Sequence, residues 1–255
     1  MSQPTTVEPS LAVIEAKNLT KVRALSRESF AVRGLNLSIT GGTTYGLIGP
    51  NGAGKTTTIK LLLGLLRPTA GTAEVLAKPA GHAEALSKIG YLPESPYFYS
   101  HLTGGEFLTF SGQLFGLESA LLKERIEKLL KRVSLEKRAQ EKTGKYSKGM
   151  LQRLGLAQAL VNDPQVLFLD EPMSGLDPQG RMDMRRILTE LKAEGKTIFF
   201  NSHLLPDVAL LCDTVGIMYE GQLVAQESIT KLSPERNAQE LEKFFLEKTG
   251  GIINE

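Results

Sequence analysis

The residues with the most evident chemistry are Gly49-Pro50-Asn51-Gly52-Ala53-Gly54-Lys55-Thr56, followed by Thr57, which fit the G-x-x-x-x-G-K-T spacing of a phosphate-binding loop. Gly49, Gly52 and Gly54 carry no side chain, so the backbone can turn tightly and aim several N–H groups at phosphate oxygens. A helix that begins at this point adds the partial positive charge of its N-terminus. Lys55 is then placed to reach β- and γ-phosphates, and the Thr56 hydroxyl to ligate Mg²⁺. The chemistry implied is the holding of a nucleoside triphosphate. A second set follows the apolar run Val166-Leu167-Phe168-Leu169, which ends on Asp170-Glu171-Pro172. Taken alone, an acidic pair after a strand equally well starts a loop. Beside a nucleotide loop, Asp170 would hold Mg²⁺ through water and Glu171 would accept a proton from the attacking water. A third, Tyr146-Ser147-Lys148-Gly149-Met150, reads on its own as a helix start with Ser147 as N-cap, since Met150, Leu154, Ala157 and Val161 recur on one face.

These groups need elements to hold them. Residues 45–48 read as a short buried strand and 56–66 as a leucine-rich helix, the two flanks that a phosphate loop requires. Residues 11–14 and 35–39 alternate as half-buried strands, joined by a basic segment at 21–33, which predicts a small antiparallel layer. A glycine- and proline-broken stretch, 68–81, precedes a strand at 89–92. From Pro93 the character changes: Thr103 is expected to cap a helix to 117, and 119–135 carries leucines and charges at helical spacing. The runs 166–169 and 197–200 are continuously apolar, as for parallel strands covered on both faces. Between them 181–194 is helical and stops at Gly195; 215–224 reads as a hairpin turning at Glu220-Gly221; a polar helix closes the chain. The organisation expected is one domain, with a core and antiparallel layer from 11–92 and 164–227, a helical subdomain from 93–163 and a helical tail from 228–255.

Composition limits the reading further. With 255 residues, 41% of them hydrophobic, the chain can bury one substantial core. Thirty basic against 28 acidic residues leave a net charge of +2, no field that argues for nucleic acid. The single cysteine, Cys212, excludes an intrachain disulfide framework and sits among apolar residues as a small buried hydrophobe. No apolar run approaches a membrane span, and residues 1–10 lack the basic and apolar segments of a secretion signal. A cytoplasmic protein is expected, with any membrane role exercised through a partner.

The order of five motifs, 49–56, 146–150, 166–171, Ser174-Gly175-Leu176-Asp177 and Ser202-His203, resembles the nucleotide-binding domain of ABC transporters over about residues 11–250. Tyr146-Ser147-Lys148-Gly149-Met150 stands where that family commonly has LSGGQ, and the variant is similar to prokaryotic ATPase subunits that serve type-2 exporters, a branch related to eukaryotic lipid transporters. The resemblance implies an α/β fold: a P-loop NTPase (RecA-like) core with an antiparallel β layer and an inserted α-helical subdomain. It also implies ATP and Mg²⁺ as ligands, and two partners: an integral membrane permease subunit, and a second nucleotide-binding subunit that is either another copy or a paralogue. The chain would then lie on the cytoplasmic face of a membrane. In the implied head-to-tail dimer each ATP meets Lys55 and Glu171 of one chain and Ser147 and Gly149 of the other, Asp177 crosses the interface, and His203 contacts the γ-phosphate and orients the attacking water. Export is favoured over import by the same resemblance. A soluble relative acting on nucleic acid or ribosomes would commonly carry long coiled-coil insertions or two cassettes in one chain, and this chain has neither.

The chain departs from the family pattern at two places. Glu94, in Gly90-Tyr91-Leu92-Pro93-Glu94, stands where many members have glutamine; its carboxylate can still ligate Mg²⁺ but adds charge beside the phosphates. The aromatic that commonly stacks on adenine is missing after Lys21-Val22-Arg23, so either Phe30 substitutes or packs as a strand aromatic, or Arg23 stacks through its guanidinium. Weak discrimination between ATP and GTP is the consequence expected. Finally, Tyr97-Phe98-Tyr99 places three aromatics in a row, which cannot all face one core from a regular element, so at least one is expected to be exposed.

Overall fold

Strands buried on both faces are the framework of this molecule. In the computed structural model, which describes residues 12–23 and 26–251, every residue of β3 (Thr44–Ile48), β7 (Val166–Asp170) and β8 (Thr197–Asn201) is buried. Expectations for residues 1–11 and for the end of the tail, 252–255, lie outside the described residues. These strands pair in parallel within a six-stranded sheet, completed on one side by β6 (Ile89–Leu92) and on the other by β9 (Thr214–Tyr219) and β10 (Gln222–Ser228), in the order β10-β9-β3-β8-β7-β6. Only β10 runs antiparallel, as the second arm of the hairpin expected at Glu220-Gly221.

Because side chains alternate along a strand, the sheet builds a core on each face. Ile48, Leu167, Leu169, Ile198 and Phe200 face one cluster, which contains α5 (Lys148–Ala159), α6 (Pro178–Ala193) and α7 (Leu205–Leu211). Tyr45, Leu47, Val166, Phe168 and Phe199 face the other, where α1 (Lys55–Leu62) and the antiparallel layer lie. The Tyr45 and Phe199 rings stack at 5.4 Å, and Phe168 meets Phe199 at 5.5 Å. Each such buried side chain contributes about 1.5–3 kcal/mol relative to exposure.

The antiparallel layer is larger than expected. β1 (Ala12–Arg23) and β2 (Ser26–Thr40) extend from both sides into the basic segment that was expected to join two short strands, pairing Lys21 with Val32 and Val22 with Phe30. One covered face suffices for such a layer, so Val32, Leu35, Leu37 and Ile39 point inward while the charges remain outside. The stretch 68–81 also holds β4 (Ala70–Val75) and β5 (Lys78–Pro79), giving the order β2-β1-β4-β5. Their hairpin turns on Leu76 and Ala77, both at positive φ (54° and 58°), a turn conformation that usually selects asparagine or glycine. A one-turn helix, α2 (Ala83–Leu86), leads into β6.

The helical segment contains α3 (Gly104–Leu114), α4 (Ser119–Arg132) and then α5. Thr103 and Glu106 form a reciprocal capping box at the start of α3. Helices 1, 3 and 4 end short of their expected limits, where Gly64, Gly116 and Ser134 take positive φ. On the core side, Gly90 of β6 lets α5 approach: a Cβ there would lie 2.0 Å from the Ala159 carbonyl oxygen. After β10 come α8 (Ile229–Leu232) and α9 (Ala238–Thr249), the latter packed on α7. No described helix is long and apolar enough to cross a membrane.

Candidate active site

The loop between β3 and α1 is confined so closely that glycine is required at two positions. A Cβ on Gly49 would lie 2.3 Å from the Met218 carbonyl oxygen, and one on Gly54, at φ +105°, would lie 2.2 Å from that of Ala31. The loop is thereby wedged between β2 and β9. Lys55 folds back beneath it, donating from Nζ to the carbonyl oxygens of Gly49 (2.7 Å) and Pro50 (3.2 Å). Burial pulls the Lys55 ammonium below its ordinary pKa, while Glu171, Asp170 and Glu94 pull the other way.

At the ends of β7 and β8 the acidic pair is held by contacts across the strands. The Thr56 hydroxyl donates to Asp170 Oδ1 at 2.9 Å, and Asn201 Nδ2 donates to the same oxygen at 2.6 Å. Glu171 takes φ +51°, in the left-handed region, and its N–H donates to Asn201 Oδ1 at 2.7 Å. This turn swings its carboxylate to His203, whose Nδ1 lies 2.9 Å from Oε2 and whose backbone N–H reaches the same oxygen at 3.4 Å. Burial raises the Glu171 pKa above its ordinary value, opposed by His203 and Lys55. The His203 side chain is 57% exposed and Glu171 is 11% exposed, so the pair reaches solvent through the histidine.

All of the loop residues 49–57, with Glu94, Glu171 and His203, line one open cavity of 1070 Å³. Asp170 lies beneath it, 1% exposed, and reaches it through Thr56. Thr56, Asp170 and Glu94 offer a hydroxyl and two carboxylates, a small set of hard oxygen donors that fits Mg²⁺, a cation that retains several waters and takes further ligands from phosphate. Arg23 also lines the cavity, with Nη2 donating to the Gly52 carbonyl (3.0 Å) and Nε to that of Phe30 (3.3 Å). Phe30 is not among the residues lining it; its half-buried ring lies under the Arg33 guanidinium at 5.1 Å, the arrangement of a strand aromatic.

Three expected nucleotide ligands lie apart from the cavity. Ser147 is exposed and caps α5, its Oγ accepting the Met150 N–H at 3.3 Å. Asp177 caps α6 through Oδ1 and the Gly180 N–H at 2.8 Å. Gly149 stands beside Leu176, and the Lys148 chain lies over Gly175, so 147–149 and 175–177 form one neighbouring surface. Three contributors were not expected from the sequence. Asn201 is a polar residue ending an otherwise apolar strand, a signal that was there to be used. Glu242 and Phe245 of α9 complete the far wall of the cavity, a tertiary contact without local signal.

A largely parallel sheet with a phosphate loop between its central strand β3 and α1, an acidic pair at the end of β7, which is separated from β3 by β8, and a helical segment inserted between the two motifs along the chain define a P-loop nucleotide hydrolase. Residues 32–174 match the family model described as ABC transporter. The chain is 45% identical over 238 residues to an uncharacterized ABC transporter ATP-binding protein of Nostoc sp., covering 91% of this chain and 71% of that one. It is 40% identical over 244 residues to the bacitracin transport ATP-binding protein BcrA of Bacillus licheniformis, covering 94% and 78%. Among solved structures, an ATP-binding subunit of an ABC transporter superposes with a TM-score of 0.82 at 28% identity, covering 92% of this chain and 99% of that one. The chain belongs to the ABC transporter ATP-binding proteins, in the branch similar to the subunits of type-2 exporters, and is an ATPase.

Proposed function

We propose that this chain is the motor of an exporter whose transport path lies in a separate membrane permease, and that it works as a head-to-tail dimer closed by ATP. One observation carries the reading. The loop, Lys55, Glu171 and His203 share an open cavity, whereas Ser147, Gly149 and Asp177 sit on a different surface with no ligand to serve in the single chain. A second subunit turned head to tail would bring its Ser147 surface over the cavity of the first. Relatives named for bacitracin transport and for Nod factor export support the outward direction.

In this mechanism the loop N–H groups and Lys55 bind and orient the triphosphate. Mg²⁺, when bound, neutralises phosphate charge, and Thr56, Asp170 and Glu94 would hold it. Glu171 takes the proton of the attacking water at its carboxylate, and His203, hydrogen-bonded to that carboxylate, fixes where it points. The partner's helix start excludes solvent and adds donors to the γ-phosphate. Binding closes the dimer; hydrolysis and phosphate release reopen it, and the helical segment passes the motion to the permease at the cytoplasmic face.

The test is Glu171→Gln, which preserves shape and removes the base. Turnover should fall by about 10²–10⁴ while ATP binding remains. Hydrolysis near the wild-type rate would overturn the assignment.

A further inference from the structure

Asn201 is completely buried at the end of β8, directly opposite Asp170 in the strand register. Its amide is committed at both ends. The oxygen accepts the Glu171 N–H at 2.7 Å, and the nitrogen donates to Asp170 Oδ1 at 2.6 Å. Neither contact survives a flip of the amide, because the N–H can only donate and the carboxylate can only accept. Its orientation is therefore set by its neighbours and, reciprocally, sets theirs.

We infer that Asn201 is a positioning residue for hydrolysis, locking the two adjacent carboxylates of Asp170-Glu171 into their separate tasks. The inference rests on the reading of Glu171 as base and Asp170 as the residue beside the metal. Two neighbouring carboxylates on one strand end would ordinarily project to opposite sides. Here the chain turns into the left-handed region at Glu171, a conformation that a residue with a side chain seldom holds without support. The Asn201 carbonyl provides that support through the Glu171 N–H, and the Glu171 carboxylate consequently arrives at His203. His203 itself is two residues beyond Asn201, so one side chain ties together the backbone that carries the base and the backbone that carries its histidine. On the other end, Asn201 and Thr56 both donate to Asp170 Oδ1, which fixes the rotation of that carboxylate beneath the loop. A neutral amide supplies an acceptor and a donor on two separate atoms without adding charge to a site that already holds Asp170 and Glu171.

The experiment uses the full chain with Asn201→Ala, Glu171→Gln and the double variant. Steady-state and single-turnover hydrolysis of Mg-ATP are measured with the binding of a fluorescent ATP analogue. Asn201→Ala should lower kcat by about ten- to a hundredfold, from loss of two buried hydrogen bonds. Analogue affinity should stay within about threefold of wild type, since the residue does not touch the loop's phosphate donors. In the Glu171→Gln background the same substitution should cause a clearly smaller further loss, because the part that acts through the Glu171 carboxylate is already gone and only the part through Asp170 remains. Three results would each overturn the inference: a kcat within twofold of wild type, a loss confined to nucleotide affinity, or a loss of undiminished size on top of Glu171→Gln. If Asn201→Ala does not yield folded protein, Asn201→Leu, which keeps much of the volume and removes both hydrogen bonds without adding charge, is put through the same measurements and judged by the same results. Should Glu171→Gln itself hydrolyse ATP normally, the reading of the base fails, and that outcome is distinct from all three.

Discussion

Where neighbouring backbone closes on the phosphate loop, only glycine fits. Gly49 and Gly54 are such cases, since each faces a carbonyl oxygen too close for any side chain. Lys55, Thr56, Asp170 and Glu171 followed from spacing and chemistry, and the structure brings them to one place. Asn201 and Phe30 did not. The first depends on which strand lies beside β7, and the second on which way a strand side chain points, and neither is a local property. Glu94 offers a sharp residue-scale prediction because its carboxylate lines the cavity from the exposed side. If it meets the cation through one oxygen, Glu94→Gln keeps an oxygen donor and should retain much of the activity, whereas Glu94→Ala should lose about tenfold or more, of the order of one charge-assisted contact. Rates of purified variants at saturating Mg-ATP check the order; three equal rates would place Glu94 outside the chemistry.

Among elements, the buried parallel strands and the capped helices were readable because their signals are local: unbroken apolar runs for β7 and β8, and a serine at the start of α5 whose hydroxyl accepts the Met150 N–H. The β4–β5 hairpin was not, since Leu76-Ala77 gives no turn signal and takes its positive φ from its tertiary setting. The row Tyr97-Phe98-Tyr99 divides as its spacing demands. Phe98 turns inward to meet Phe107 at 4.8 Å, while Tyr97 is 84% exposed and Tyr99 is 45% exposed, its ring edge-on to Phe110 at 5.9 Å. Exposed rings next to the segment that carries Glu94 suit them to a permease contact. Tyr97→Ala and Tyr99→Ala are therefore expected to keep melting temperature and basal ATPase but lose co-purification with the membrane subunit. Phe98→Ala, which removes a half-buried ring packed on Phe107, should instead destabilise the fold by about 1–3 kcal/mol. Parallel loss of stability and complex in both tyrosine variants would identify the rings as core and move the contact elsewhere.

In the proposed head-to-tail pair, one chain would contribute a different half to each of two active sites. Its cavity carries the loop and Glu171, and its α5–α6 surface would supply Ser147, Gly149 and Asp177 to the neighbour's cavity. All the residues needed for both halves are present, so two copies suffice to build two sites. ATP binding more tightly to the pair than to the separated chains would stabilise association through mass action. The direct measurement is the molar mass of the Glu171→Gln chain by size exclusion with light scattering, with Mg-ATP, with Mg-ADP, and with Ser147→Arg added. A two-chain mass is expected with Mg-ATP, and a one-chain mass both with Mg-ADP and when Ser147→Arg blocks the helix start. A one-chain mass with Mg-ATP at every concentration, or a two-chain mass that persists with Mg-ADP and with Ser147→Arg, would contradict the proposed pair.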